Sequence, residues 1–378
     1  MTSKIAIAII LVISFLYLNM SSQTGLKNLR KKIDDIDDKL LDLLNERSQI
    51  ALKISKLKKR GSHEVYDPVR EKEIEIKLKK NNRGPFPTDS IISVFREIIS
   101  ACRSLQNPVK VAYLGPEGSF SHQAAYKEFG SSSELLPQRS FEEIFEEVDT
   151  ERATFGIVPL ENSEEGSVGA VLDLLSTYSL SVCSEYYEKI NHYLLSKSTK
   201  KSDVRIVASH PQALAQSRRW LQKNMKDVEF RETSSTAQAA KIASRSKKIA
   251  AVAGKHAASI YKLNVLAKNI EQRSGNITRF LVVGKFQEKP SGNDKTSIVF
   301  SLRDTPGALE STLFLPFSKS KINLTKIESR PSKDRPWEYL FFVDFLGHRN
   351  NPRVKSVLNK VRARCISLKI LGSYPVTR

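Results

Sequence analysis

Cysteine is scarce in this chain, three in 378 residues. That excludes a disulfide-stapled scaffold, and the CxxC and CxxH spacings of a zinc site are missing as well. No run of five like charges occurs, so the usual nucleic-acid tail is absent. Only one segment, near the N-terminus, approaches membrane-spanning length, which excludes a multispan membrane protein. Hydrophobic residues still make up 40% of the chain, enough for packed cores, so wholesale disorder is excluded too. What remains is a soluble protein of two or three domains.

Lysine and arginine number 61 against 41 acidic residues, a net charge of +20 that suggests an anionic partner. Residues 24–106 carry 19 basic and 13 acidic residues, residues 107–290 carry 25 and 21, and residues 291–378 carry 16 and 7. A binder of extended polyanions concentrates its footprint more than this. At the N-terminus, Ile5 to Leu18 is an apolar run preceded by Lys4. As a helix it spans roughly 21 Å, short of the ~30 Å hydrocarbon core. It has the form of a signal-peptide core, but no Ala-x-Ala cleavage site follows. Met20 stands directly before the first patterned helix, so translation is expected to begin there; the rival reading is an export signal or membrane anchor.

Apolar residues recur at Leu26, Leu29, Ile33, Ile36, Leu40, Leu43, Ile50, Ile54 and Leu57, a heptad pattern sustained to about residue 58. The helix this predicts is about 50 Å long, too long to bury its seam within one small domain, and it calls for a helix from a second subunit. Arg47 falls on the seam, where a charge is costly unless paired. Lys58 returns to the same face within about 20°, so an anion is wanted between the two cations. Pro68 after Asp67 opens a second helix, with Arg70 and Glu71 in its first turn. Residues 79–84 read as a turn. Thr88 or Asp89 caps a third helix, with a stripe at Ile91, Phe95, Ile98, Cys102 and Gln106. A plain helical hairpin with solvated charges explains the same pattern.

From Val109 the texture changes. "VKVAYLG" is a short buried strand running into Gly115-Pro116-Glu117-Gly118 and a helix start at Ser119-Phe120-Ser121, a place that suits an anion but also a simple capped helix. Further strands at "FGIVPL" and "RIVAS", with helices between, argue for a mostly parallel sheet. Polar clusters sit at strand ends in "PLENSEEGSV", "SHPQALAQ" and "NITRF", where sites form in α/β folds. His210 and His122 read as structural loop groups. Residues 290–294 read as a linker. After it, strands and helices follow in the order βαββαβ, an antiparallel sheet with two helices on one face. Cys102, Cys183 and Cys365 are expected to be free thiols.

The stretches "LKNLRKKIDDIDDKLLDLLNERSQIALKISKLK", "YDPVREKEIE" and "VFREIISACRSLQ" resemble the all-helical chorismate mutase domain. That resemblance implies a Claisen rearrangement of chorismate to prephenate. It implies that Arg30 and Arg47 clamp the substrate carboxylates from different subunits of an intertwined dimer. Lys58 and Gln106 would donate to the ether oxygen, Glu71 would accept from the ring hydroxyl, and Asp67 and Arg70 would support them. Arg30 and Arg47 are about 25 Å apart along one helix and cannot both reach one small ligand, which agrees with the dimer. Such a reaction needs no base, nucleophile or cofactor, only a held conformer and a donor to the ether oxygen. Gln106 donates at any pH, so it brings no pH dependence between pH 5 and 8.

The four motifs between residues 110 and 285, "GPEGSFSHQAA" first, closely resemble prephenate dehydratase. The implied fold has two α/β lobes, like a periplasmic binding protein, with substrate in the cleft. The implied proton donor is Thr278, which protonates the departing C4 hydroxyl while carbon dioxide leaves and phenylpyruvate forms. Arg279 is implied to order the site, and Ser119, Ser121, Asn162, Ser209 and Gln216 to contact substrate. Gln272 and Ser217 depart from the family pattern, which bears on substrate affinity. Residues 294–378 resemble the ferredoxin-like ACT domain of the same bifunctional enzymes. Gly307, Ala308 and Leu309, with Glu328, Ser329 and Arg330, match its phenylalanine-binding motifs, whereas Glu310 departs from them.

The expected organisation is an apolar segment over 1–23, the mutase over 24–107, the dehydratase over 108–288 and the ACT domain over 294–378. The expected partners are chorismate, prephenate, phenylalanine as allosteric inhibitor and a second copy of the chain in the cytoplasm. No metal, cofactor, nucleic acid or membrane is expected. Three alternatives are a dehydratase acting on the aminated analogue arogenate, a polyanion binder using Arg353, Lys355, Lys360, Arg362 and Arg364, and a catalytically dead amino-acid sensor.

Overall fold

The computed structural model describes residues 2–57, 66–303, 305–332 and 338–377, with side chains from residue 25 onward. Lys58 lies outside the described residues, and so do the side chains of the apolar run at Ile5 to Leu18. The chain divides into two units, Met1–Arg60 and Gly61–Arg378.

In the first unit, α1 (Thr2–Leu57) is a single helix. It runs without a break from the apolar segment into the heptad stretch, because no proline precedes Pro68 and the one glycine within it, Gly25, costs only about 1 kcal/mol against alanine. The heptad seam is unburied: its nine residues are between 47% (Ile54) and 85% (Leu57) exposed. No helix among the described residues is long and apolar enough to cross a membrane.

In the second unit, α2 (Pro68–Asn81) starts as its sequence dictates. Proline fills the first helical position, and the Asp67 carboxylate accepts from the Arg70 amide at 2.8 Å. The predicted cap of α3 (Thr88–Ser104) is corrected. Pro87 occupies the capping position, while Thr88 Oγ1 accepts from Asn82 Nδ2 at 2.9 Å and ties the turn. Gln106 lies beyond the last turn of α3, so the stripe ends at Cys102.

The α/β core begins with β1 (Lys110–Leu114), α4 (Phe120–Phe129), β2 (Glu134–Gln138), α5 (Phe141–Asp149), β3 (Phe155–Asn162), β4 (Gly166–Ser167), α6 (Gly169–Thr177) and β5 (Ser181–Lys189). A second lobe follows: β6 (Tyr193–Ser196), β7 (Ile206–Ser209), α7 (Pro211–Asn224), β8 (Glu229–Glu232), α8 (Thr236–Ala243), β9 (Ile249–Ala253), α9 (Lys255–Ile260) and β10 (Asn264–Ala267). Then β11 (Ile277–Gly284) returns to the first lobe. The first sheet has the order β2-β1-β3-β11-β5, with β4 on β3, and the second β10-β6-β9-β7-β8. The pairs β1–β2, β1–β3, β7–β8 and β7–β9 are parallel as predicted, while β11 is antiparallel to both β3 and β5.

The C-terminal module comprises β12 (Asp294–Ser301), a π-helical turn at Glu310–Phe314 continuing into α10 (Leu315–Lys319), β13 (Leu324–Pro331), β14 (Tyr339–Leu346), α11 (Pro352–Arg362) and β15 (Ser367–Pro375). Its sheet has the order β13-β14-β12-β15, with every pair antiparallel. Strand alternation gives it two apolar faces. Ile298, Phe300, Val343 and Phe345 pack with Leu313, Phe317, Val357 and Leu358 beneath the helices. The alternate residues Val299, Phe342, Leu371 and Tyr374 join the core of the first lobe, with Val158, Leu160, Leu172 and Val182. The two backbones come close at Gly372, where a Cβ would stand 2.2 Å from the Val182 carbonyl oxygen. The stretch read as a linker is a tight turn, closed by the Asp294 carboxylate accepting from the Ser291 and Gly292 amides.

Candidate active sites

The ends of β3 and β11 place Asn162 directly opposite Thr278. Asn162 Nδ2 donates to Thr278 Oγ1 at 2.8 Å and to Asn276 Oδ1 at 2.6 Å. Asn162 Oδ1 accepts from the Glu164 and Glu165 amides at 2.9 and 3.3 Å, which fixes the orientation of the amide. The Thr278 oxygen is thus an acceptor from Asn162 and keeps its own proton to give. A donor aimed at that oxygen stabilises the anion formed when the proton leaves. The surroundings are polar: Asn276 Nδ2 reaches Glu164 Oε2 at 3.4 Å, Gln216 Nε2 donates to the same oxygen at 2.9 Å, and Gln216 Oε1 meets His192 Nε2 at 2.8 Å. Gln216 stands on α7 of the second lobe and Glu164 after β3 of the first, so this chain of bonds links the two lobes.

Other expected contacts are placed differently. Ser119 caps α4, accepting from the His122 amide at 3.1 Å and donating to the Leu114 carbonyl at 3.0 Å. Ser121 is buried in the first turn of the same helix. Ser209 is fully buried and donates to the Val252 carbonyl at 2.5 Å, so its hydroxyl holds two strands of the second sheet together. His122 is structural, as read from sequence: its Nδ1 accepts from the Gly118 amide at 3.0 Å, and burial, with His256 beside it, pushes its pKa down to about 4.

On the helical hairpin, Glu71 pairs with the buried Arg103 at 2.8 Å. Burial raises the Glu71 carboxyl to about 7, with Arg103 pulling against it. Arg103 is held in turn by the Phe129 carbonyl and lies 5.3 Å from the Tyr66 ring centroid. Tyr66 donates to Glu128 Oε1 at 2.7 Å. A cavity of about 110 Å³ opens beside Glu71, lined also by Tyr66, Arg96, Glu128 and Ser184. Arg70 is exposed and pairs with Glu73 at 2.7 Å, and Gln106 Nε2 donates to the Cys102 carbonyl at 3.4 Å. On α1, Arg30 is exposed and Arg47 half-buried. Among the described residues, no group of three or more His, Cys, Asp or Glu is placed to hold a metal.

Three family models match consecutive stretches: chorismate mutase type II over residues 29–107, prephenate dehydratase over 111–288 and the ACT domain over 296–363. The bifunctional chorismate mutase/prephenate dehydratase of Aquifex aeolicus is 46% identical over 354 residues, 93% of this chain and 98% of the relative. The chain belongs to the bifunctional chorismate mutase/prephenate dehydratase family. Among solved structures, the prephenate dehydratase of Arthrobacter aurescens in complex with L-Phe matches with a TM-score of 0.64 and 30% identity, covering 71% of this chain and 90% of that one. GqqA, described as a novel type of quorum quenching acylase, matches with a TM-score of 0.66 and 26% identity over 71% of this chain and 98% of its own.

Within this bifunctional enzyme, Arg279 touches the site only through the sheet. It neighbours Thr278 on β11, and adjacent strand residues point to opposite faces. Its guanidinium is therefore behind the sheet, bonded to Glu185 at 2.9 Å, Asp344 at 2.6 Å and the Tyr374 hydroxyl at 2.9 Å. The regulatory motif is engaged as well. Arg330 pairs with Asp173 of α6 at 3.0 Å, and Glu328 accepts from Ser167 and from Lys326. Gly307 has the positive φ of 74° that favours glycine, while Ala308 and Leu309 pack against the helix side of the C-terminal sheet. Sequence reading missed His192, Glu164 and Asn276 as individual site groups. The last two lay inside quoted motifs, and His192 was findable only as a polar residue where the chain crosses between lobes.

Proposed function

We propose that Thr278, polarised by Asn162, is the proton donor of the dehydratase centre. The chain converts chorismate to prephenate and prephenate to phenylpyruvate. In the second step the electron pair of the breaking C–carboxylate bond aromatises the ring, and carbon dioxide leaves. The C4 hydroxyl departs as water with the proton given by Thr278. The observation that carries this reading is the Asn162 Nδ2–Thr278 Oγ1 bond at 2.8 Å, which leaves the threonine proton free to give. We assign Asn276, Glu164, Gln216 and His192 to the polar surroundings of that centre, and Ser119, Ser121 and Ser209 remain substrate contacts on the resemblance alone.

For the mutase we assign the substrate clamps to Arg30 and Arg47 from different subunits, the ether-oxygen donors to Lys58 and Gln106, and the hydroxyl acceptor to Glu71, with Asp67 and Arg70 in support. The exposed seam of α1 supports a homodimer, since burying each leucine or isoleucine contributes about 1.5–3 kcal/mol. We assign phenylalanine to the C-terminal module around Gly307–Leu309 and Glu328–Arg330 on the motifs of the resemblance; the Arthrobacter relative, solved in complex with L-Phe, supports phenylalanine as the ligand. The module limits proposed are 24–107, 108–288 and 294–378, with a cytoplasmic location. On α11 the basic residues are exposed and Val354, Val357, Leu358 and Val361 are buried, the arrangement of a solvated amphipathic helix. Supplying prephenate alone and measuring phenylpyruvate and carbon dioxide tests the dehydratase. Stoichiometric release of both supports it; turnover of arogenate in preference to prephenate replaces it.

A further inference from the structure

The two residues beside the Asn162–Thr278 pair form a second rung of the same ladder, Glu161 opposite Arg279. They point to the other face of the sheet, and that face is covered by the C-terminal sheet. Each is gripped from there. Arg279 Nη1 bonds Asp344 on β14 at 2.6 Å, and Ser297 Oγ on β12 donates to the other Asp344 oxygen at 2.6 Å. Glu161 accepts from Lys326 on β13 at 2.6 Å, and Lys326 also bonds Glu328 at 3.0 Å and Ser167 Oγ at 2.8 Å. Lys295 on β12 pairs with Glu185 at 2.8 Å, and Glu185 is the carboxylate that holds Arg279 Nε.

Arg279, Glu185, Lys295 and Asp344 are all buried. Buried ion clusters are poor sources of stability, because desolvation offsets their attraction, but they tolerate few geometries. Such a cluster, one rung behind the proposed proton donor, would pass on small displacements of the covering sheet, because packed elements shift as units.

We propose that Glu161, beside the site-ordering Arg279 that the resemblance implies, is a positioning residue for the Asn162–Thr278 pair, and that Lys326 and Asp344 are the grips by which the C-terminal module sets the position of both. This rests on the reading of Thr278 as proton donor; its regulatory arm rests on phenylalanine binding to the module. Lys326 is shared between Glu161 behind the site and Glu328 in the regulatory motif. A ligand that displaces Glu328 therefore changes the charge balance on Glu161.

The test uses the full chain with K326M, K326R, E161Q and the double variant K326M/E161Q. K326M is expected to lower dehydratase kcat about tenfold with KM within threefold, leaving mutase turnover unchanged, and K326R to restore most of the loss. The double variant is expected to be no slower than E161Q alone, because Lys326 acts through Glu161. D344N should lower kcat in the same direction. Phenylalanine titrated into K326M by calorimetry is expected to bind while inhibiting less than in the wild type. The proposal is overturned if K326M keeps kcat within twofold, if the two single effects multiply, or if mutase and dehydratase fall together. Unchanged inhibition in K326M overturns the regulatory arm. A wild type that binds no phenylalanine overturns the regulatory reading instead, and the kcat comparison then decides the positioning role alone.

Discussion

Replacing Thr278 with valine removes one hydroxyl and keeps the branched shape, so it separates chemistry from packing. In the fold, the change costs the bond from Asn162 Nδ2 at 2.8 Å, about 1 kcal/mol. Asn162 retains Asn276 as acceptor, so its amide is not left bare. The new methyl recovers part of the loss, and Tm should fall by no more than about 2–4 °C for a unit of this size. In the chemistry, a positioned general acid contributes roughly 10²–10⁴-fold, which corresponds to about 2.7–5.5 kcal/mol of barrier. The activity loss therefore exceeds the stability loss several-fold. Phenylpyruvate formation from prephenate should fall at least a hundredfold (about 10² at the low end), while chorismate rearrangement on the same preparation is unchanged. Thr278→Ser, which keeps the hydroxyl, should stay within about tenfold of wild type. A valine variant that retains more than a tenth of the dehydratase kcat with an unaltered Tm would refute the assignment of the proton to Thr278.

Other consequences are equally specific. Burial, with Asp67 nearby, pushes Glu288 up to about 8 from an ordinary 4.5, so its stabilisation is present below about pH 4.5 and lost as pH rises through 8. Glu288→Gln should therefore raise Tm at pH 9, by about 2 °C or more, and leave it unchanged at pH 5; equal Tm values at pH 9 would contradict this. Arg103 lowers the Glu71 pKa, so in Arg103→Leu the acidic limb of the mutase pH profile should move up by roughly one pH unit or more, and a limb that stays in place removes Glu71 as the ionised acceptor. Gly372→Ala forces a methyl into the Val182 carbonyl and should cost about 2–4 kcal/mol by urea unfolding, whereas a change below 0.5 kcal/mol (about the scale of a neutral surface substitution) would mean the two sheets are not in close contact. If the proposed α1 dimer forms, Leu40→Asp on its seam should leave a monomer in sedimentation and abolish mutase turnover while sparing the dehydratase.

The sequence revealed most where local rules are strong. Asp67-Pro68 specified the start of α2, the heptad of leucines and isoleucines specified α1 to Leu57, and the βαββαβ order of the last module followed from its alternation of patterns. It failed where the deciding partner is distant in the chain. Thr88 looked like a cap, but Asn82 claimed its hydroxyl across the turn. The resemblance implied that Arg279 orders the site but not from which side: strand alternation turns it behind the sheet, and Asp344, 65 residues later, supplies its partner. Arg103 gave no sign of its role, since it is buried only because Phe129, Tyr66 and Glu71 converge on it. The excess charge of +20 pointed to an anion without placing it. Several of the cations, Arg279, Lys295 and Lys326 among them, are paired inside the protein.

The central claim is that one chain runs two different chemistries in series, under control from its C-terminal module. A single time course tests it: chorismate is supplied to the full-length protein, and prephenate and phenylpyruvate are followed separately, with and without millimolar phenylalanine. Prephenate should appear transiently and give way to phenylpyruvate, with phenylalanine slowing the second step. Prephenate that accumulates without conversion, or phenylpyruvate formation indifferent to phenylalanine while phenylalanine binds, would contradict it.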